Sequence, residues 1–248
     1  MIIDKNKLKD HAKELMKNTQ KPSVFSVALV FVLLSTVASF LTSKLLGMNL
    51  TESLMQHYVD SVNAGNFENA FFYLSKMQPP QGANLISVLI SLALSVVGFG
   101  FTIYLMNIYH AAQPCMGNLL DGFGMLGRFI LLSLLKSIFI FLWSLLFIVP
   151  GLIAAYKYRM AEYIMLENPD KSVMQCIKES KALMKGHKWE CFGLDLSFIV
   201  WYIAALIPYA GSVLSIFSYP YIGLTFINYY HALLMLKEQP EPQTDGTI

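Results

Sequence analysis

Residues 151–166 read GLIAAYKYRMAEYIML, an apolar run that carries Lys157, Arg159 and Glu162 near its centre. Whether this run crosses a membrane decides the topology of the whole chain. The surrounding composition already sets the solvent: 55% of the 248 residues are hydrophobic and 14% are charged, with a mean hydropathy of +0.51. A soluble domain would carry about 25% charged residues. The excess of apolar residues falls in stretches of about 20, the length that crosses a ~30 Å hydrocarbon core. Backbone amides inside that core must bond internally, so each stretch is expected to be a helix.

Working outward from 151–166, the spans read as residues 23–46, 84–109, 128–149, the run itself, 192–209 and 212–236. Residues 128–149 end at Pro150-Gly151, and Asn168-Pro169-Asp170 closes the run on its other side, with Asp170 as a helix cap. Ser87, Ser91 and Ser95 recur every four residues ahead of Gly98 and Gly100. That is the pattern of a close helix-packing seam. The stretch at 23–46 is too long for the apolar core of a signal peptide and is read as a retained span.

Basic residues near the span ends orient the bundle. With residues 151–166 as a span, thirteen lysines and arginines fall on the cytoplasmic side, against Lys44 and Lys76 outside. With that run left out, Lys171, Lys178, Lys181, Lys185 and Lys188 would all lie outside. The expected fold is therefore an all-α, polytopic membrane bundle of six transmembrane helices with both termini in the cytoplasm. Residues 1–22 form a cytoplasmic amphipathic segment, 23–236 the membrane domain, and 237–248 a disordered tail. Within the membrane domain, residues 47–83 form an outer loop and 170–186 a basic cytoplasmic helix. That helix carries Val173, Ile177, Ser180 and Met184 on one face and lysines on the other. It suits either the headgroup boundary or a docking surface for a partner.

The run FLWSLLFIVPGLIAAYKYRMAEYIMLENPDKSVMQCIKE at 141–179, continuing through Ile203, resembles the DUF975 family of bacterial, largely Firmicutes, membrane proteins. The resemblance extends over the last two-thirds of the chain. It is most specific at Pro150-Gly151, Ala154 to Tyr163, and Met184-Lys185-Gly186-His187-Lys188. It implies a multi-pass protein of the bacterial cytoplasmic membrane and supplies no activity. A more distant likeness joins the Pro-Gly and charged helix to the membrane domain attached to some glycerophosphodiester phosphodiesterases, whose catalytic domain has no counterpart here.

Ionisable groups at membrane depth are costly and point to function by default. At ~1.5 Å rise per residue, Lys136, Arg159, Glu162 and Asp195 fall in the cytoplasmic half of their spans. Arg159 and Glu162, three apart, share a face, while Lys157 points elsewhere and needs Asp195 or a lipid phosphate. Lys136 is a second candidate partner for Asp195. Two readings stay open for Lys136, Lys157, Arg159, Glu162 and Asp195. They neutralise one another to fix helix order, or they line a hydrated inner-half cavity for an anionic or zwitterionic ligand.

No HExxH, GxSxG or phosphate-loop motif is present, and His57 with Asp60 is a lone pair. Cys115, Cys176 and Cys191 show no metal spacing, and no cofactor or nucleic-acid motif is read. The expectation is a non-enzymatic module that binds or moves a small amphiphile, lipid or peptide. The alternative is an accessory protein that organises membrane partners.

Overall fold

A long apolar helix leaves its backbone satisfied wherever it runs, and the breaks in such helices therefore carry the information. The computed structural model describes residues 3–19, 22–45, 48–76, 83–207 and 210–238, and every regular element among them is an α-helix. Helix α1 (Lys5–Asn18) opens at Asp4, whose carboxylate accepts from the Asn6 backbone N–H at 2.9 Å. The membrane-length α2 (Val24–Leu45) follows, then a hairpin of α3 (Met48–Asn63) and α4 (Phe67–Lys76) that turns at Gly65 with φ +72°. Next come α5 (Ala83–Tyr109), the short α6 (Asn118–Gly124) and α7 (Leu126–Leu146).

The region that decided the sequence reading forms two helices, α8 (Ile148–Lys157) and α9 (Ala161–Glu167), separated by a turn at 158–160. After α10 (Val173–Leu183) a second broken pair appears, α11 (Lys188–Leu196) and α12 (Ile199–Ala205). The chain ends in α13 (Ala210–Glu238), which passes through Pro220 without interruption. Among the described residues four helices are long and apolar enough to cross a membrane: α2, α5, α7 and α13. The chain is thus an all-helical membrane protein.

The breaks do not send the chain elsewhere. Along α7 and back through α8 and α9, Ser144 meets Gly151, Phe139 meets Tyr158, Lys136 meets Glu162, and Arg128 donates to the Pro169 and Lys171 carbonyls. The two paired numbers move in opposite directions from one end to the other, so the broken pair runs antiparallel beside all of α7. Likewise α11 and α12 run back along α13, from His187 against Tyr229 to Ala205 against Gly211. A Cβ on Gly151 would stand 2.9 Å from Ser144 Cα, so the first hairpin closes only around glycine.

A helix break exposes carbonyls that need a partner. The Lys157 carbonyl finds one in Ser180, whose buried hydroxyl on α10 donates to it at 3.0 Å. Helix α10 is held in place by its own amino terminus, where Ser172 and Gln175 form a reciprocal capping box. Ser172 therefore takes the capping role expected of Asp170, which is exposed. Val173, Ile177, Ser180 and Met184 are all buried, as one face of the helix required. Together with Met160, Met165, Cys191, Leu194 and Phe198 they build the main core beside the break.

Helix α1 docks on α13 rather than standing apart. Asn228 Nδ2 donates to the Leu8 carbonyl at 2.9 Å, and Asn228 Oδ1 lies 3.0 Å from His11 Nδ1. The glycine seam on α5 packs against α6: a Cβ on Gly100 would stand 2.7 Å from the Asn118 carbonyl oxygen. Of the three serines Ser87 is buried, whereas Ser91 and Ser95 are exposed and Ser95 bonds back to the Ser91 carbonyl. Residues 239–248, where a disordered tail was expected, lie outside the described residues.

Candidate functional site

The five charged residues singled out in the sequence separate into three arrangements. Lys136 on α7 faces Glu162 on α9, with Nζ 2.5 Å from Oε1. Arg159 in the first break faces Asp195, two residues before the second break, with nitrogens 2.5 and 3.2 Å from the two carboxylate oxygens. Tyr156 and Tyr202 donate to the same carboxylate at 2.9 and 3.2 Å. The guanidinium carbon also sits 3.9 Å from the Phe226 ring centroid of α13. Two tyrosines, one arginine and one carboxylate thus bind the two breaks to each other and to α13.

This pattern differs from two expectations of local spacing. Arg159 and Glu162, although three apart, take different partners, because the turn at 158–160 rotates one relative to the other. Lys136 pairs with Glu162 and leaves Asp195 to Arg159. Both oxygens of Asp195 are bonded, the condition under which a partly buried pair holds its helices in place.

Lys157 behaves differently. Its Nζ lies 5.1 Å from the Trp143 ring centroid and takes part in no ion pair among the described residues. It lines a cavity of about 610 Å³ with Lys178, Lys181, Ala182, Lys185 and Lys188. Lys178 and Lys181 come from the exposed face of α10, Lys185 follows in the turn after it, and Lys188 opens α11. Immediately adjacent, and sharing Lys188, is a groove of about 410 Å³ lined by Leu152, Ile153, Tyr156, Trp189 and Phe192. A basic cavity and an apolar groove thus adjoin at Lys188.

The lysines of α10 were legible as a basic helix face. Their convergence on Lys157 was not, because it depends on α10 folding back until Ser180 reaches the break.

Residues 147–237 match the model of a family described as a protein of unknown function, DUF975. The match to DUF975 covers 91 of the 248 residues. The match opens at the residue before α8 and closes near the end of α13, so the DUF975 region comprises both broken helix pairs, α10 and the five-lysine cavity. Lys136 and all of α7 precede it. No curated protein and no solved structure matches the chain.

Proposed function

We propose that this DUF975 protein is a non-catalytic module of the bacterial cytoplasmic membrane that holds an anionic amphiphile, with the headgroup among Lys157, Lys178, Lys181, Lys185 and Lys188. The apolar part lies along Leu152, Tyr156, Trp189 and Phe192. One observation carries the reading: five lysines converge on a cavity that no carboxylate lines, and an apolar groove leads away from it. Each ammonium lowers the energy of a phosphate placed among them, and near a membrane surface a basic residue contributes about 1 kcal/mol toward anionic lipid. The ion pairs at Arg159 and Lys136 serve the frame of this site; Lys157 alone of the five charged residues reaches the ligand.

The same proposal includes six crossings with both termini in the cytoplasm. Support comes from the antiparallel course of α8–α9 along α7 and of α11–α12 along α13, and from the lysine bias of the sequence. This orientation puts the lysine cavity on the cytoplasmic side, where anionic headgroups are abundant.

Native mass spectrometry of the full chain, purified from membranes containing phosphatidylglycerol and phosphatidylethanolamine, tests the binding. The wild type is expected to retain phosphatidylglycerol, and Lys181→Glu/Lys185→Glu to retain at least tenfold less. Raising the salt should weaken retention in the wild type. Equal retention of both lipids by both proteins would overturn the proposal.

A further inference from the structure

A second cluster lies apart from the lysine cavity, where the ends of α5 and α9 meet α13. His110 directly follows α5, Glu167 closes α9, and His231 lies in the last third of α13. His110 Nε2 is 3.3 Å from Glu167 Oε1, and His231 Nε2 is 3.2 Å from the same oxygen. One ligand atom from each residue lies within 4.8 Å of the other two. More than fifty residues separate each from the next, so no spacing motif reveals them.

Three details distinguish the cluster from a set of hydrogen bonds. His231 Nε2 is buried and has no hydrogen-bond partner among the described residues, despite the nearby oxygen. An orphaned buried nitrogen is unfavourable, and an unseen ion is one of its standard explanations. Tyr230 Oη donates to Glu167 Oε2 at 2.7 Å, which fixes the carboxylate and leaves Oε1 for the histidines. The Tyr109 ring stacks on His231 at 4.0 Å and 6°, which fixes the imidazole plane.

We propose that His110, Glu167 and His231 bind a divalent first-row transition cation of the zinc class. The ligand atoms are Nε2, Oε1 and Nε2. In a tetrahedral site with bonds of ~2.0–2.1 Å, neighbouring ligand atoms stand about 3.3 Å apart; each histidine nitrogen stands at 3.3 or 3.2 Å from Glu167 Oε1, and the two nitrogens lie within 4.8 Å of each other. Two imidazoles with one carboxylate select such ions over magnesium or calcium, which prefer oxygen. His110 and Glu167 also line a cavity of about 490 Å³ with Asn107 and Asn168, so a water there has room to complete the coordination. The ion would bolt the ends of α5 and α9 to α13, making the stability of that end depend on metal concentration.

The test uses the full chain without an affinity tag, stripped with chelator and titrated with Zn²⁺ and, separately, Co²⁺. The expected result is one ion per chain with micromolar or tighter affinity, a raised unfolding midpoint, and the visible absorption of tetrahedral Co²⁺. His110→Ala, at a side chain 47% exposed, should fold normally and bind at least tenfold more weakly; Glu167→Gln should do the same. Lys181→Glu/Lys185→Glu should bind the metal like the wild type, which separates this site from the lysine cavity. Absence of binding in the wild type, unchanged affinity in His110→Ala, or equal competition by Mg²⁺ would each overturn the assignment.

Discussion

Arg159, in the turn between α8 and α9, grips Asp195, just before the turn between α11 and α12, with two guanidinium nitrogens at 2.5 and 3.2 Å. One pair therefore ties the two places where helix continuity fails. Removing one member of a buried pair costs about 3–5 kcal/mol; with Arg159 31% exposed, Asp195→Ala should fall at the lower end. Equilibrium unfolding in mixed micelles measures it. Arg159→Met/Asp195→Leu should recover part of the loss, because no unpaired charge remains. If the double variant is as unstable as the sum of the single ones, the coupling is absent.

The α7–α8 hairpin makes a separate claim about shape. At Gly151 a methyl group meets Ser144 backbone at 2.9 Å, so Gly151→Ala must push the helices apart and should cost about 1–3 kcal/mol. Gly186, by contrast, has φ +89° and open space around its Cα. Gly186→Ala should cost about 1 kcal/mol from backbone conformation alone. Thermal unfolding of the two variants should rank them in that order.

The native thiols report sidedness. Cys115 is exposed, between α5 and α6, whereas Cys176 and Cys191 are buried. Burial also raises the Cys176 thiol above its ordinary value, which keeps it protonated and slow to alkylate. A membrane-impermeant maleimide should therefore modify Cys115 alone in the native chain, and only from the cytoplasmic side. A cysteine placed at Ser172 in a chain with Cys115→Ser should show the same sidedness. Labelling of Ser172→Cys from outside, with Cys115 accessible from inside, would reduce the six crossings to four.

Lys9 on α1 supplies a pH test. Its ammonium lies 4.7 Å from the Phe198 ring centroid, and burial, then Lys13 and Lys5, pushes its pKa down. With the folded value below the unfolded one, the unfolded chain binds more protons between the two, so stability rises as pH climbs through that window. Lys9→Met keeps the stem and removes the charge. The difference in unfolding midpoint between wild type and Lys9→Met should shrink as pH rises toward the ordinary lysine range. A difference that stays constant with pH would show that Lys9 carries no such penalty.

Much of this fold was legible residue by residue. The apolar runs of α2, α5, α7 and α13 leave no choice but helix, because a backbone in hydrocarbon must bond to itself. The buried face of α10 followed from 3.6-residue periodicity, and the resemblance of 141–203 to DUF975 agrees with the family model that matches 147–237. The stretch 151–166 was legible only as a contradiction, apolar yet charged. Its resolution lies in a turn at 158–160 that local spacing does not encode, since Ser180, twenty-three residues later, satisfies the freed carbonyl. Which acid takes which base was likewise settled by packing: Glu162 goes to Lys136, and Asp195 to Arg159. Hydrophobic length and period are properties of neighbouring residues, so the sequence alone determines them. Ion pairs, the lysine cavity and the His110–Glu167–His231 cluster join residues far apart in the chain, and only the folded helices bring them within a few ångströms.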